Sequence, residues 1–161
     1  MTTLDPAVAI PKLEEFLKTM AKAGRLDLRF KVSAATPKTE HDPQLRVECD
    51  GQDVDILLGR GGELLDAIEH LAAKVLRLHS DEQSLIVFDS HNFRSDRALE
   101  LRLMAEAAAE RVEHSGQKFE MSPMNSRDRR IVHLALKGRS GVRTESDGAG
   151  SHRRIIIFPN K

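Results

Sequence analysis

The sequence predicts an α/β fold of the α+β type, built as two small modules. Three observations carry this. Apolar and polar residues alternate over 25–35 and 45–49, the period of half-buried strands. Apolar residues recur at three- and four-residue spacing over 6–23, 64–78 and 126–136, the period of amphipathic helices. Helical and strand patterns interleave throughout, which favours small sheets covered by helices.

Ile10, Leu13, Leu17 and Met20 mark one face of a first helix, with Phe16 beside them and Gly24 placed to end it. In the first strand, residues 25–35, Leu26, Leu28, Phe30, Val32 and Ala34 point one way. A loop is expected over 37–43. Leu45, Val47 and Cys49 form a second strand, closed by the turn signal Asp50-Gly51. Residues 52–58 read as a short helix that leads into Gly59-Arg60-Gly61-Gly62. Leu64, Leu65, Ile68, Leu71, Ala72, Val75 and Leu76 continue as a helix to residue 78, and residues 84–89 form a buried strand. The first module therefore covers 1–91: a three-stranded sheet under helices.

The second module covers 92–161. Ser90 or Asn92 caps a helix that runs to Ser115, with Leu101, Met104, Ala105, Ala108 and Val112 inward. Phe119 and Met121 suggest a short strand. Asn125 or Ser126 caps a helix through Leu136, ended by Gly138, with Ile131, Leu134 and Ala135 inward. Strands over 142–146 and 154–158 flank the turn Asp147-Gly148-Ala149-Gly150.

Hydrophobic residues at 40% and charged residues at 31% describe a soluble globular chain, and no apolar run is long enough to span a membrane. The single cysteine, Cys49, rules out an internal disulfide and fits a reducing cytoplasm, where the protein is expected to act. The N-terminus lacks the pattern of a secretory signal. Net charge is zero but unevenly placed: residues 1–91 hold 11 Lys+Arg against 16 Asp+Glu, and residues 92–161 hold 14 against 9. A basic second half can attract phosphate backbones.

Two motifs stand out. Gly59-Arg60-Gly61-Gly62 opens a helix, where glycines allow positive φ and unpaired amides suit an anion. Its two readings are a nucleic-acid clamp and a helix–turn–helix junction without a ligand. The second motif is Arg129-x-x-x-His133, one helix face by its spacing, inside a run from Arg127 to Arg143 with six basic residues and one acidic. Arg127, Arg129, Arg130, His133, Lys137, Arg139 and Arg143 are its candidate phosphate-binding residues. The alternatives are a solvated charged face, or Arg129 and His133 turned inward to support the sheet. A phosphate beside His133 would raise its charge and strengthen binding from about pH 8 to 6. No phosphate-loop, dinucleotide or zinc pattern is present, no carboxylate stands at a telling spacing from His133, and no cofactor is implied.

These motifs carry a family resemblance. Residues 25–91 resemble a type II KH domain. Residues 92–161 resemble the small R-3-H domain, named for Arg-x-x-x-His. The order of the two, with His133-Leu134-Ala135-Leu136, Val142-x-Thr144-x-Ser146-x-Gly148 and Arg153-Arg154-Ile155-Ile156-Ile157-x-Pro159, is similar to the bacterial Jag family (SpoIIIJ-associated proteins). The resemblance implies a non-enzymatic, cytoplasmic binder of single-stranded RNA, or of single-stranded DNA. It implies links to cell-envelope growth, division or sporulation, and a small KH protein as a partner. A protein-interaction scaffold without direct RNA binding is the rival reading. Nothing here matches the further N-terminal Jag domain of many relatives. The clamp has one middle cation, Arg60, where relatives often have two.

Overall fold

Asp5 opens the first helix: its side chain accepts the Ala7 amide at 3.0 Å, and Pro6 takes the first turn, where it sacrifices no helical hydrogen bond. In this computed structural model, which describes residues 4–37 and 42–160, α1 runs Pro6–Gly24. Leu13, Leu17 and Ala21 are buried along one side, and Ile10, Phe16 and Met20 pack beside them. Arg25, not the expected Gly24, turns left-handed (φ 52°) and stops the helix, its amide reaching the Ala21 and Lys22 carbonyls.

Strand β1, Arg29–Ala34, is shorter than its alternating pattern. The segment before it is held by the turn after the next strand: Asp27 donates its amide to Asp53 Oδ2 at 2.7 Å. A Cβ on Gly51 would lie 2.1 Å from the Asp27 carbonyl oxygen, so this crossing requires glycine. Ala34, expected inward, is exposed. Of the loop expected over 37–43, residues 38–41 lie outside the described residues.

β2 (Leu45–Asp50) pairs antiparallel with β1 and parallel with β3 (Ile86–Asp89). A parallel pair needs a crossover, supplied here by α2 (Val54–Val75) and a 3-10 turn at Gln83–Leu85. Leu45, Val47, Cys49, Ile86 and Phe88 of the sheet pack with Leu57, Leu65, Ile68 and Ala72 of α2 and with α1. Leu64 and Leu71, expected in the apolar face, are 37% and 50% exposed.

The second sheet has the order β4-β6-β5, wholly antiparallel, from β4 (Phe119–Glu120), β5 (Val142–Asp147) and β6 (Arg154–Pro159). Two helices, α3 (Phe93–Ser115) and α4 (Ser126–Leu136), cover one face. Leu101, Ala105, Ala109 and Val112 of α3 and Val132 and Leu136 of α4 meet Val142, Ile155 and Ile157. The small alanines let α3 lie close. Met104 is 47% exposed and Leu134 56% exposed, so both point away from the positions their spacing suggested. Val132 and Leu136 face the sheet, and α4 is rotated accordingly. The chain divides into two compact units between Phe93 and Arg94, at the start of α3. Among the described residues, no helix is long and apolar enough to cross a membrane.

A buried ion pair sets the position of α4. Asp128, only 2% exposed, receives Arg97 through Nε at 3.1 Å and Nη2 at 3.0 Å, while Arg97 Nη1 donates to Glu100 at 2.7 Å. Asn125 caps the same turn through the Asp128 amide at 2.8 Å. Removing the cation leaves a buried carboxylate poorly compensated. Arg97→Met should therefore cost about 3 kcal/mol by chemical denaturation. A loss under about 1 kcal/mol would show that the pair is not what holds α4.

Candidate nucleic-acid interface

Glycine breaks α2 where the sequence placed a turn. Gly59 is extended (φ −56°, ψ 151°), and Arg60, Gly61 and Gly62 follow in left-handed conformation at φ 55°, 73° and 80°. Helix resumes after them. Gly59 and Arg60 are exposed, and beyond the adjoining backbone no atom lies within 4 Å of where a Gly59 Cβ would be. The backbone is open to close approach there. Gly62 is the opposite case: it is buried, and a Cβ on it would lie 2.9 Å from Phe93 Cε1.

Arg60 takes a conformation that disfavours side chains with a Cβ, which is a local cost. Its Nε pairs with Glu63 Oε2 at 3.0 Å, with side chains 71% and 55% exposed. Such a pair is worth about 0.5 kcal/mol, so a phosphate can displace the glutamate.

On α4, Arg127, Arg130 and Leu134 are exposed and follow helical spacing, and Lys137 at the C-cap is exposed after them, which makes a basic stripe with one apolar contact in it. Arg129 and His133 are not part of this open stripe, as the sequence had suggested. Both are half-buried. Arg129 Nη1 donates to the Met124 carbonyl at 2.8 Å, and His133 Nδ1 lies 2.7 Å from Thr144 Oγ1 on β5. The inward alternative thus describes their contacts. Burial, aided by the nearby Arg129 cation, holds the His133 pKa below its ordinary 6.5. The ring is therefore harder to protonate in the free protein than an exposed imidazole.

Two other candidates stand apart. Arg139 forks onto Glu113 of α3, with Nε and Nη2 at 2.9 and 2.7 Å, and these bonds hold the Glu113 carboxyl below its usual range. Arg143 pairs with Glu145 and lies 4.4 Å over the Phe158 ring. Alternation along β5 puts Arg143 and Glu145 on the sheet face opposite Thr144, and so opposite His133. The structure brings Arg127, Arg129, Arg130, His133 and Lys137 together on or beside α4, and it leaves Arg139 and Arg143 elsewhere.

Sequence reasoning missed two residues here. Glu63 stands three residues after Arg60, a spacing visible in the sequence. Arg153 donates from Nε to Ser146 Oγ at 3.0 Å, and its carbonyl accepts the Met124 amide at 3.0 Å, which places it beside the Met124–Arg129 contact. The Arg153-Arg154 doublet was the available signal. Among the described residues, no group of three His, Cys, Asp or Glu side chains could hold a metal ion. The glycine turn presents one exposed cation and an open backbone, and α4 presents further exposed cations.

The family model for the R-3-H domain matches residues 99–159. The RNA-binding protein KhpB of Clostridium symbiosum is 30% identical over 146 residues, which cover 91% of this chain and 64% of that protein. KhpB of Bacillus subtilis is 27% identical over 158 residues, covering 96% of this chain and 71% of that protein. KhpB of Lactiplantibacillus plantarum is 29% identical over 106 residues, covering 66% of this chain and 33% of that protein.

The environment of His133 makes stability depend on pH. Its folded pKa lies below the unfolded value of about 6.5, so the unfolded chain binds the proton more readily. The contribution is complete above about pH 6.5 and is lost as pH falls through the folded pKa. Denaturation at a series of pH values should show a loss on acidification that is smaller in His133→Gln. An identical pH profile in the variant would contradict the assigned environment.

Proposed function

We propose that the chain, as a member of the Jag family, binds single-stranded RNA through two surfaces, the glycine turn of a KH-like first unit and the basic stripe of its R-3-H unit. The observation that carries the reading is the run of left-handed residues at 60–62, which breaks α2, bares the backbone at Gly59 and sets Arg60 above it. A sugar–phosphate backbone can lie against that turn, with a phosphate near the amides that restart the helix and the Arg60 guanidinium beside it. A clamp of this kind holds about four nucleotides. Arg127, Arg130 and Lys137 supply a second set of phosphate contacts, with Leu134 placed to touch a sugar or base. Arg129 and Arg153 hold the loop at Met124, and His133 bonds Thr144 beside it. The names of the relatives, RNA-binding proteins, support the choice of ligand. DNA is the comparison ligand in the same assay.

Two substitutions test the clamp from opposite directions. Arg60→Asp with Gly61→Asp puts two carboxylates where a phosphate would sit and should weaken binding of a labelled single-stranded RNA by about tenfold or more, with the fold kept. Glu63→Gln releases Arg60 and should strengthen binding by about twofold, the equivalent of one exposed ion pair. Unchanged affinity in a folded double variant removes the glycine turn from the interface.

A further inference from the structure

We propose that Phe93, the first residue of α3, is a positioning residue for the clamp: its ring is the support on which the left-handed turn at residues 60–62 is formed. The proposal deepens the RNA-binding reading and rests on it. Phe93 has no role in the sequence pattern beyond lying one residue after a helix cap.

The contact is close and specific. A Cβ built on Gly62 would lie 2.9 Å from Phe93 Cε1, 3.6 Å from Cζ and 3.8 Å from Cδ1. The edge of the ring therefore abuts the backbone of Gly62, the last left-handed residue, and a side chain there would collide with it. Phe93 is half-buried and packs on the core of the first unit. Gly59 and Arg60 are exposed, and Arg60 at φ 55° is also conformationally costly. A turn of that kind persists only where its surroundings over-determine it. The three heavy atoms nearest to that position all belong to the Phe93 ring.

The short segment before Phe93 fixes where the ring emerges. Ser90 is fully buried, and its amide donates to Asp89 Oδ1 at 2.9 Å. His91 and Asn92 are left-handed, at φ 49° and 63°. The His91 amide donates to Glu48 Oε1 at 2.8 Å, and the Phe93 amide to the Ser90 carbonyl at 2.9 Å. Two successive left-handed residues of this type are rare without a purpose. Here they turn the chain from the end of β3 so that the next side chain reaches Gly62. A first module cut at residue 91 would omit this support, although it would keep every strand of the sheet.

Loss of the ring should lower the fraction of molecules whose turn is ready to bind, and apparent affinity falls in proportion to that fraction. In the full-length chain, Phe93→Ala should weaken binding of a labelled random-sequence single-stranded RNA by about tenfold, as if about one molecule in ten kept a competent turn. Affinity is measured well below the melting temperature of each variant. Phe93→Leu retains an apolar support and should stay within about threefold of the parent chain. Backbone amide resonances of Gly59, Gly61 and Gly62 should move in Phe93→Ala without RNA present. The affinity losses of Gly62→Ala and Phe93→Ala should be non-additive, because the two groups share one contact.

A folded Phe93→Ala chain with unchanged affinity and unmoved glycine resonances would overturn the proposal, as would strict additivity with Gly62→Ala. If Phe93→Ala does not fold, Phe93→Val and Phe93→Leu are compared by the same two readouts. If the parent chain itself retains no RNA at low salt, the RNA-binding reading fails, and the glycine resonances still decide whether Phe93 supports the turn.

Discussion

Three consecutive left-handed residues, only two of them glycines, are the constraint on which this candidate site depends. They separate α2 into two helices. A continuous helix through residues 54–75 would not bare the backbone at Gly59 in this way. Gly59 and Gly62 serve different ends at the two sides of the turn. Gly59 keeps the outer surface bare, and Gly62 admits Phe93 beneath it. In the proposed reading, the outer side of the turn meets the strand and the inner side supports the turn.

Carboxylates decide which of the many cations are available. Arg97 is tied to Asp128 and Glu100, Arg139 to Glu113, Arg143 to Glu145 and Arg154 to Glu120. These pairs hold α3, α4 and the sheet, and they neutralise much of the excess positive charge in the second unit. Arg127, Arg130 and Lys137 are exposed on α4 and just after it. Arg129 and His133, the residues that define the motif, are spent on Met124 and Thr144. In this chain the motif builds the corner that carries the basic surface. A count of basic residues along the sequence overstates the surface because it does not see the partners.

Much of the fold was legible because periodicity reports burial directly. The inward Leu45, Val47 and Cys49 of β2 and the helices at 6–24 and 93–115 followed from spacing and caps. The failures share a cause. Short helices such as α4 offer few turns, so Leu134 and Val132 are equally plausible inward residues until Asp128 is known to be buried against Arg97. Met104 lost its expected place to alanines, which pack closer than a methionine allows. Of the candidate site, the glycine turn was readable because positive φ leaves a compositional mark. Phe93 left none: its role comes from a contact across 31 residues, Gly62 to Phe93, fixed by two left-handed residues that are not glycines. Likewise Arg143 lay close in sequence to the basic helix, but strand alternation turned it to the other face of the sheet.

The central claim is that phosphate contacts from the glycine turn and α4 hold a single strand. Its most direct test is the salt dependence of binding between the full chain and a labelled random-sequence single-stranded RNA. Each phosphate contact releases counterions and adds roughly −0.7 to the slope of log affinity against log salt. Contacts from Arg60, Arg127, Arg130 and Lys137 together predict a slope of about −3. A slope near zero, or no retention of RNA at low salt, would contradict the account.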